Sequence, residues 1–159
     1  MMKRIMAVVI AVIIPISLLS GCGKSLTVEE YKTEIEKCWK GFLTSISSLS
    51  ADMQYFEKNE VLEDSNKFEN DCKNFENALK DFEKINPPSE YKEKHKQMIK
   101  ALDNERYWLT TVRKYVSATT PEEIKAAEEK VEDAASYENS LPHQCFQIIL
   151  ELNKEIDDD

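Results

Sequence analysis

Three cysteines and one histidine stand where helical periodicity would bury them: Cys38, Cys72, Cys145 and His95. Each falls on an apolar stripe, the thiols on three segments and the imidazole on a fourth. Counted at about 1.5 Å per helical residue from the ends that would lie together, the four fall within a slab on the order of 10 Å thick. Soft ligands arriving from four helices suit zinc or copper, so one reading is a thiolate and imidazole metal layer. A second is a disulfide between Cys38 and Cys145 on neighbouring helices, chemistry open to an exported protein. The third needs no chemistry, because free cysteine is among the most buried residue types and packs as a small hydrophobe.

A polar set is marked by interruptions in the stripes. Ser45, Glu105 and Glu138 hold phases that core residues should occupy. If Glu105 and Glu138 both turned inward, repulsion and burial would raise at least one pKa and create an acid/base or cation site. Alternatively, the drift between 3.5 and 3.6 residues per turn lets Tyr137 or the stem of Arg106 fill the gap and leaves the acids in water. Trp39, Trp108 and Tyr107 flank stripe positions, where aromatics widen a core face, line a ligand cavity or form a partner patch. His143, off the stripe beside Pro142, reads as a surface residue.

Other chemistries lack their residues. Phosphate-cradling loops need glycines for close backbone approach, and beyond Gly23 the chain has only Gly41. Serine-hydrolase elbows, HExxH helices and CxxC pairs are absent from the sequence. The Glu three residues before a His that di-metal bundles require is Lys92 before His95 and Ser140 before His143. No catalytic set and no cofactor is expected.

The elements that would position these residues are helices. "TVEE" from Thr27 reads as a capping box, and apolar residues follow at Val28, Tyr31, Ile35, Cys38, Phe42, Ile46, Leu49, Met53 and Phe56. A second stripe carries Phe68, Cys72, Phe75, Leu79, Phe82 and Ile85 until "NPP" at 86–88 stops it. A third runs Tyr91, His95, Met98, Leu102, Leu109, Val112 and Val116. After "TPEE" at 120–123, a cap followed by proline and first-turn acids, the fourth stripe is Ile124, Ala127, Val131, Ala134, Leu141, Cys145, Ile148, Leu152 and Ile156. It keeps phase through Pro142, predicting either a kinked helix or a restart capped by Ser140. The expected fold is all-α, an antiparallel up-down-up-down four-helix bundle over residues 27–159.

The first residues supply an address. Lys3 and Arg4 precede an apolar run from Ile5 to Leu19, about 15 residues against the roughly 20 needed to span a bilayer as a helix. That is the plan of a secretory signal. The run ends in Leu19-Ser20-Gly21-Cys22, which resembles the lipobox of bacterial lipoproteins. The resemblance implies that residues 1–21 are removed as a signal peptide. It also implies that Cys22 carries diacylglycerol and palmitate, and that 22–26 is a lipidated N-terminus with a short linker. Removing Lys3 and Arg4 from 21 basic residues leaves 19 against 30 acidic, a net charge of −11, which argues against a nucleic-acid partner. Lysine outnumbers arginine strongly, as in AT-rich, Gram-positive genomes.

"NPPSEYKEKH", Asn86 to His95, is similar to a Pro-Pro turn followed by Tyr and His in small helical lipoproteins of Gram-positive bacteria with unassigned function. The resemblance implies fold and address rather than chemistry. The expected protein is anchored through Cys22 on the extracytoplasmic face of the cell membrane. It binds a protein or envelope partner without catalysis, or carries a metal ion or small ligand in its core. A tether this short sets the Pro87-Pro88 turn and acidic C-terminus on the anchored side, with the connections near 57–64 and 117–121 pointing outward.

Overall fold

A computed structural model describes residues 25–134 and 140–157, with five α-helices and no strand among them. The helices are α1 Val28–Asn59, α2 Ser65–Glu83, α3 Lys92–Ser117, α4 Pro121–Ala134 and α5 Leu141–Asp157, with a 3₁₀ turn at Ser89–Tyr91 before α3. The regular structure of the described residues is all-helical, as the stripes predict. Cys22 and Glu138 lie outside the described residues.

Local chemistry sets the helix ends. Thr27 Oγ1 accepts from the Glu30 N–H at 3.2 Å and the Glu30 carboxylate accepts from the Thr27 N–H at 2.9 Å, a reciprocal capping box. α1 ends at Glu60, whose φ of 56° is left-handed and whose N–H donates to the Phe56 carbonyl at 2.7 Å. Asp64 caps α2 through bonds from the Asn66 and Lys67 N–H groups.

The fourth stripe corrects one alternative. It is not one kinked helix: α4 ends at Ala134 and α5 restarts at Leu141. Ser140 Oγ accepts from the His143 N–H at 3.4 Å, and Pro142 sits in the first turn, where its missing N–H leaves no intrahelical bond unmade. Ile124, expected on the core face, is 38 % exposed, while Ala127 is buried.

α1 packs against α2 and α5, and α3 packs against α2, α4 and α5. Named contacts show which ends meet. The Leu26 N–H donates to the Asn86 carbonyl at 3.1 Å, joining the start of α1 to the end of α2. Tyr31 meets Tyr91 and His95 near the starts of α1 and α3, and Phe56 meets Tyr115 near their ends. Met98 and Lys94 of α3 meet Cys145 and Glu151 of α5 in turn. The core between them is aromatic at its centre, where Trp39, Phe42, Phe75 and Trp108 follow one another at centroid spacings of 5.4 to 5.5 Å across α1, α2 and α3. Trp39 and Trp108 are half-buried against that core, and Tyr107 is 49 % exposed. Two arginines of α3 also reach α2: Arg106 to Glu83 at 2.6 Å and Arg113 to Glu76 at 2.5 Å.

Candidate functional site

The cysteine and histidine layer does not assemble. Cys38, Cys72 and Cys145 are free thiols, each buried, and no group of three or more His, Cys, Asp or Glu side chains gathers as a metal centre among the described residues. The reason is lateral separation: a shared height does not bring side chains to one point when each faces a different neighbour. Cys145 Sγ lies 3.5 Å from Met98 Sδ, between α5 and α3. Cys72 lies toward Arg113 on the α2–α3 side, and Cys38 lines the groove between α1 and α2.

Burial pushes the Cys38 thiol up to about 11, with Asp81 and Glu34 adding to it. Burial also raises Cys72 to about 11, against the pull of Arg113. Cys145 is raised further by burial, with Cys38 and Glu105 contributing. A thiol that keeps its proton is neither a nucleophile nor a ready metal ligand.

His95 is 6 % exposed, and its Nδ1 lies 3.1 Å from the Tyr31 hydroxyl. Burial raises the tyrosine, which therefore keeps its proton, and the hydroxyl and Nδ1 share one hydrogen bond whose direction the imidazole tautomer sets. Burial also pushes the imidazole down to about 4, so it is neutral at ordinary pH. The Tyr31 ring packs against both Tyr91 and His95, at 5.4 and 5.7 Å. The arrangement is a satisfied polar pair inside an aromatic cluster. Its Nδ1 is spent on Tyr31.

Glu105 turns inward. Only 9 % exposed, it accepts a hydrogen bond from the Leu141 N–H at 3.1 Å, and burial raises its pKa while that bond lowers it. It thus satisfies the first amide of α5 from across the core, placing an acid where the helix dipole favours one. Ser45, the other interruption, is buried with its hydroxyl donating to the Phe42 carbonyl at 2.8 Å, which satisfies it within its own helix.

One charged cluster escaped the stripe reading. α1 buries Asp52 rather than Met53, and Lys67 of α2 pairs with both Asp52 and Asp71, the latter at 2.8 Å. The Asp52 side chain is 10 % exposed, and its Oδ2 is buried with no hydrogen-bond partner among the described residues. The signal was available in the spacing Ser45, Leu49, Asp52, which continues the buried face at helical intervals. Lys67→Met should leave Asp52 without its counter-ion and cost about 1.5 kcal/mol, a value reduced because Lys67 is half-exposed. Asp52→Leu in the same background should recover most of that loss in a urea melt.

Beside this cluster runs a groove between α1 and α2. One stretch of about 850 Å³ extends from Leu26 and Asn86 to Gly41 and Ala78, and a second of about 470 Å³ continues from Gly41 to Ser48 and Asp71. Lys37, Gly41, Ala78 and Asp81 line both. The α1 wall of the second stretch carries Lys37 and Lys40, and its α2 wall carries Asp71 and Asp81. In the first stretch the α1 wall carries Glu29, Glu30 and Glu34 beside Lys37, and the facing wall carries Asp81 of α2 and Lys84 just past its end. A Cβ built on Gly41 meets nothing within 4 Å.

No helix among the described residues is long and apolar enough to cross a membrane. Comparison with protein-family models, curated proteins and solved structures finds no match.

Proposed function

We propose that the protein is a lipid-anchored, extracytoplasmic helical bundle that binds a protein or envelope partner and does no catalysis. The observation that carries this reading is the boundary Leu19-Ser20-Gly21-Cys22 behind a basic start and a short apolar run, placed just before the Thr27 cap of α1. On this reading α1, α2, α3 and α5 are the staves of an up-down-up-down four-helix bundle, and α4 packs on α3. The neighbour pattern and the end-to-end contacts of Leu26, Tyr31, Met98 and Lys94 support it.

Binding is favoured over catalysis because the groups with chemical potential are occupied or protonated. Tyr31 engages His95, Leu141 engages Glu105, and the described thiols are buried. The accessible polar groups line the α1–α2 groove instead, and binding at a concave polar surface needs only their arrangement.

The test is the covalent state of the N-terminus. Produced in a bacterium with a lipoprotein pathway and labelled with palmitate, the protein is expected to lose residues 1–21 and take up label. By intact mass the mature chain should begin at an acylated Cys22. Cys22→Ser should take up no label and keep its leader. A wild-type chain that retains the leader, or is cut elsewhere without acylation, sinks the anchor.

A further inference from the structure

The Asp52 carboxylate is only half satisfied. Its Oδ1 takes the Lys67 ammonium, while Oδ2 is buried and has no hydrogen-bond partner among the described residues. The same ammonium lies 2.8 Å from Asp71 Oδ2, so one positive charge serves two carboxylates carried by two helices. The acid side chains are 10 % and 13 % exposed, and two carboxylates with one ammonium leave a net charge of −1 between α1 and α2.

Buried negative charge in excess of its counter-ions calls for more positive charge at the same point. The ammonium cannot supply it, because its single charge meets one oxygen of each acid. A divalent cation can. Seated between the two oxygens of a carboxylate it coordinates both at once, as calcium does with bidentate acids, and it neutralises the pair. We propose that Asp52 and Asp71 form a site for a divalent cation of calcium's size and hardness, in which Lys67 is the internal cation that holds the place when the ion is absent.

Three further observations fit this ligand. Lys67 is half-exposed on a flexible four-carbon stem, so its ammonium can swing into water without unpacking the core. Asp71 and Ser48 line the stretch of groove of about 470 Å³, an open approach for an ion that keeps part of its water shell. Ser48 stands one turn before Asp52 on α1, which puts its hydroxyl on the same side of the helix as the carboxylate.

Two carboxylates, a hydroxyl and water make an all-oxygen donor set, suited to a hard cation rather than to zinc or copper. Calcium fits better than magnesium because it accepts irregular geometry, whereas magnesium demands a near-ideal octahedron. With two acids rather than three, and Lys67 to displace, the dissociation constant is expected at about 10⁻⁴ to 10⁻³ M.

The test is a melt of the full chain in about 10 mM calcium chloride, against potassium chloride of equal ionic strength. Calcium should raise the melting temperature by about 4 °C. Lys67→Met, which removes the internal competitor, should bind calcium about tenfold more tightly by equilibrium dialysis, and calcium should restore the stability it lacks in chelator. Asp52→Asn and Asp71→Asn should each lose the response. Asp71 is the less buried of the two, so its variant keeps the test readable if Asp52→Asn does not fold. The proposal is overturned if calcium does not raise the wild-type melt, if a folded Asn variant keeps the rise, or if magnesium matches it.

Discussion

Phe75→Ala is expected to remove about 4 kcal/mol of folding stability. Phe75 is fully buried, and its ring lies 5.4 Å from Phe42 and 5.5 Å from Trp108, so it links α1, α2 and α3 at the middle of the core. Truncation leaves a void lined by rings that cannot collapse to fill it, and it breaks two aromatic pairs as well. Against a total of about 5–15 kcal/mol, that brings the chain close to unfolding. The melting temperature should fall by about 10 °C or more for a chain of this size. Leu43→Ala, at a side chain 45 % exposed, should change stability by no more than about 0.5 kcal/mol. Equal losses from the two substitutions would show that the aromatic row does not organise the core.

Acid should destabilise the protein well before its surface carboxylates titrate. The His95 imidazole is pushed down to about 4 by burial, below its usual 6.5. The unfolded chain therefore binds a proton at a pH where the folded chain does not, and protons favour unfolding. The stability His95 contributes is complete above about pH 6.5 and is lost as the pH falls toward 4. By linkage the loss between pH 7 and pH 5 is about 1.5 kcal/mol once solvent screening is allowed for.

Glu105 acts in the opposite sense. Burial raises its folded pKa above the usual 4.5, so its contribution improves as the pH falls and partly offsets the histidine. Denaturant melts of wild type and His95→Gln isolate the two, because glutamine retains a partner for the Tyr31 hydroxyl and does not titrate. The difference in stability between the two chains should shrink steadily from pH 7 to pH 5. A constant difference over that window would mean that His95 takes up its proton at the same pH in the folded chain as in the unfolded one.

The first three helices were legible because their local and long-range signals agree. Thr27 and Glu30 close α1 at its start, Pro87 and Pro88 stop the second stripe, and the stripe positions of α2 and α3 are buried or packed against the core. The fourth stripe left a kinked helix and a restart at Ser140 both open, because phase alone cannot distinguish a continuous helix from two helices whose apolar faces share the same phase. The resolving signal was local, in Ser140 and Pro142, which together make a helix start.

Polar burial was least legible. Ser45, Asp52 and Glu105 occupy core phases, and whether such a position stays buried depends on a partner that spacing does not name. Ser45 finds the Phe42 carbonyl, Asp52 finds Lys67, and Glu105 finds the Leu141 amide 36 residues away. The metal layer, one of three readings of the cysteines, does not gather among the described residues on the same ground. Heights along four helices were readable from the sequence, but the direction each thiol faces is set by packing.

The three buried thiols have a use that follows from their inertness. Cys38 lies on α1, Cys72 on α2 and Cys145 on α5, and each can be alkylated only when its surroundings part and the sulfur meets reagent in water. Each rate of labelling is therefore a clock for the opening of one helix. If the three rates coincide, the helices come apart as one cooperative unit; if Cys145 labels first, α5 detaches while the rest of the core holds.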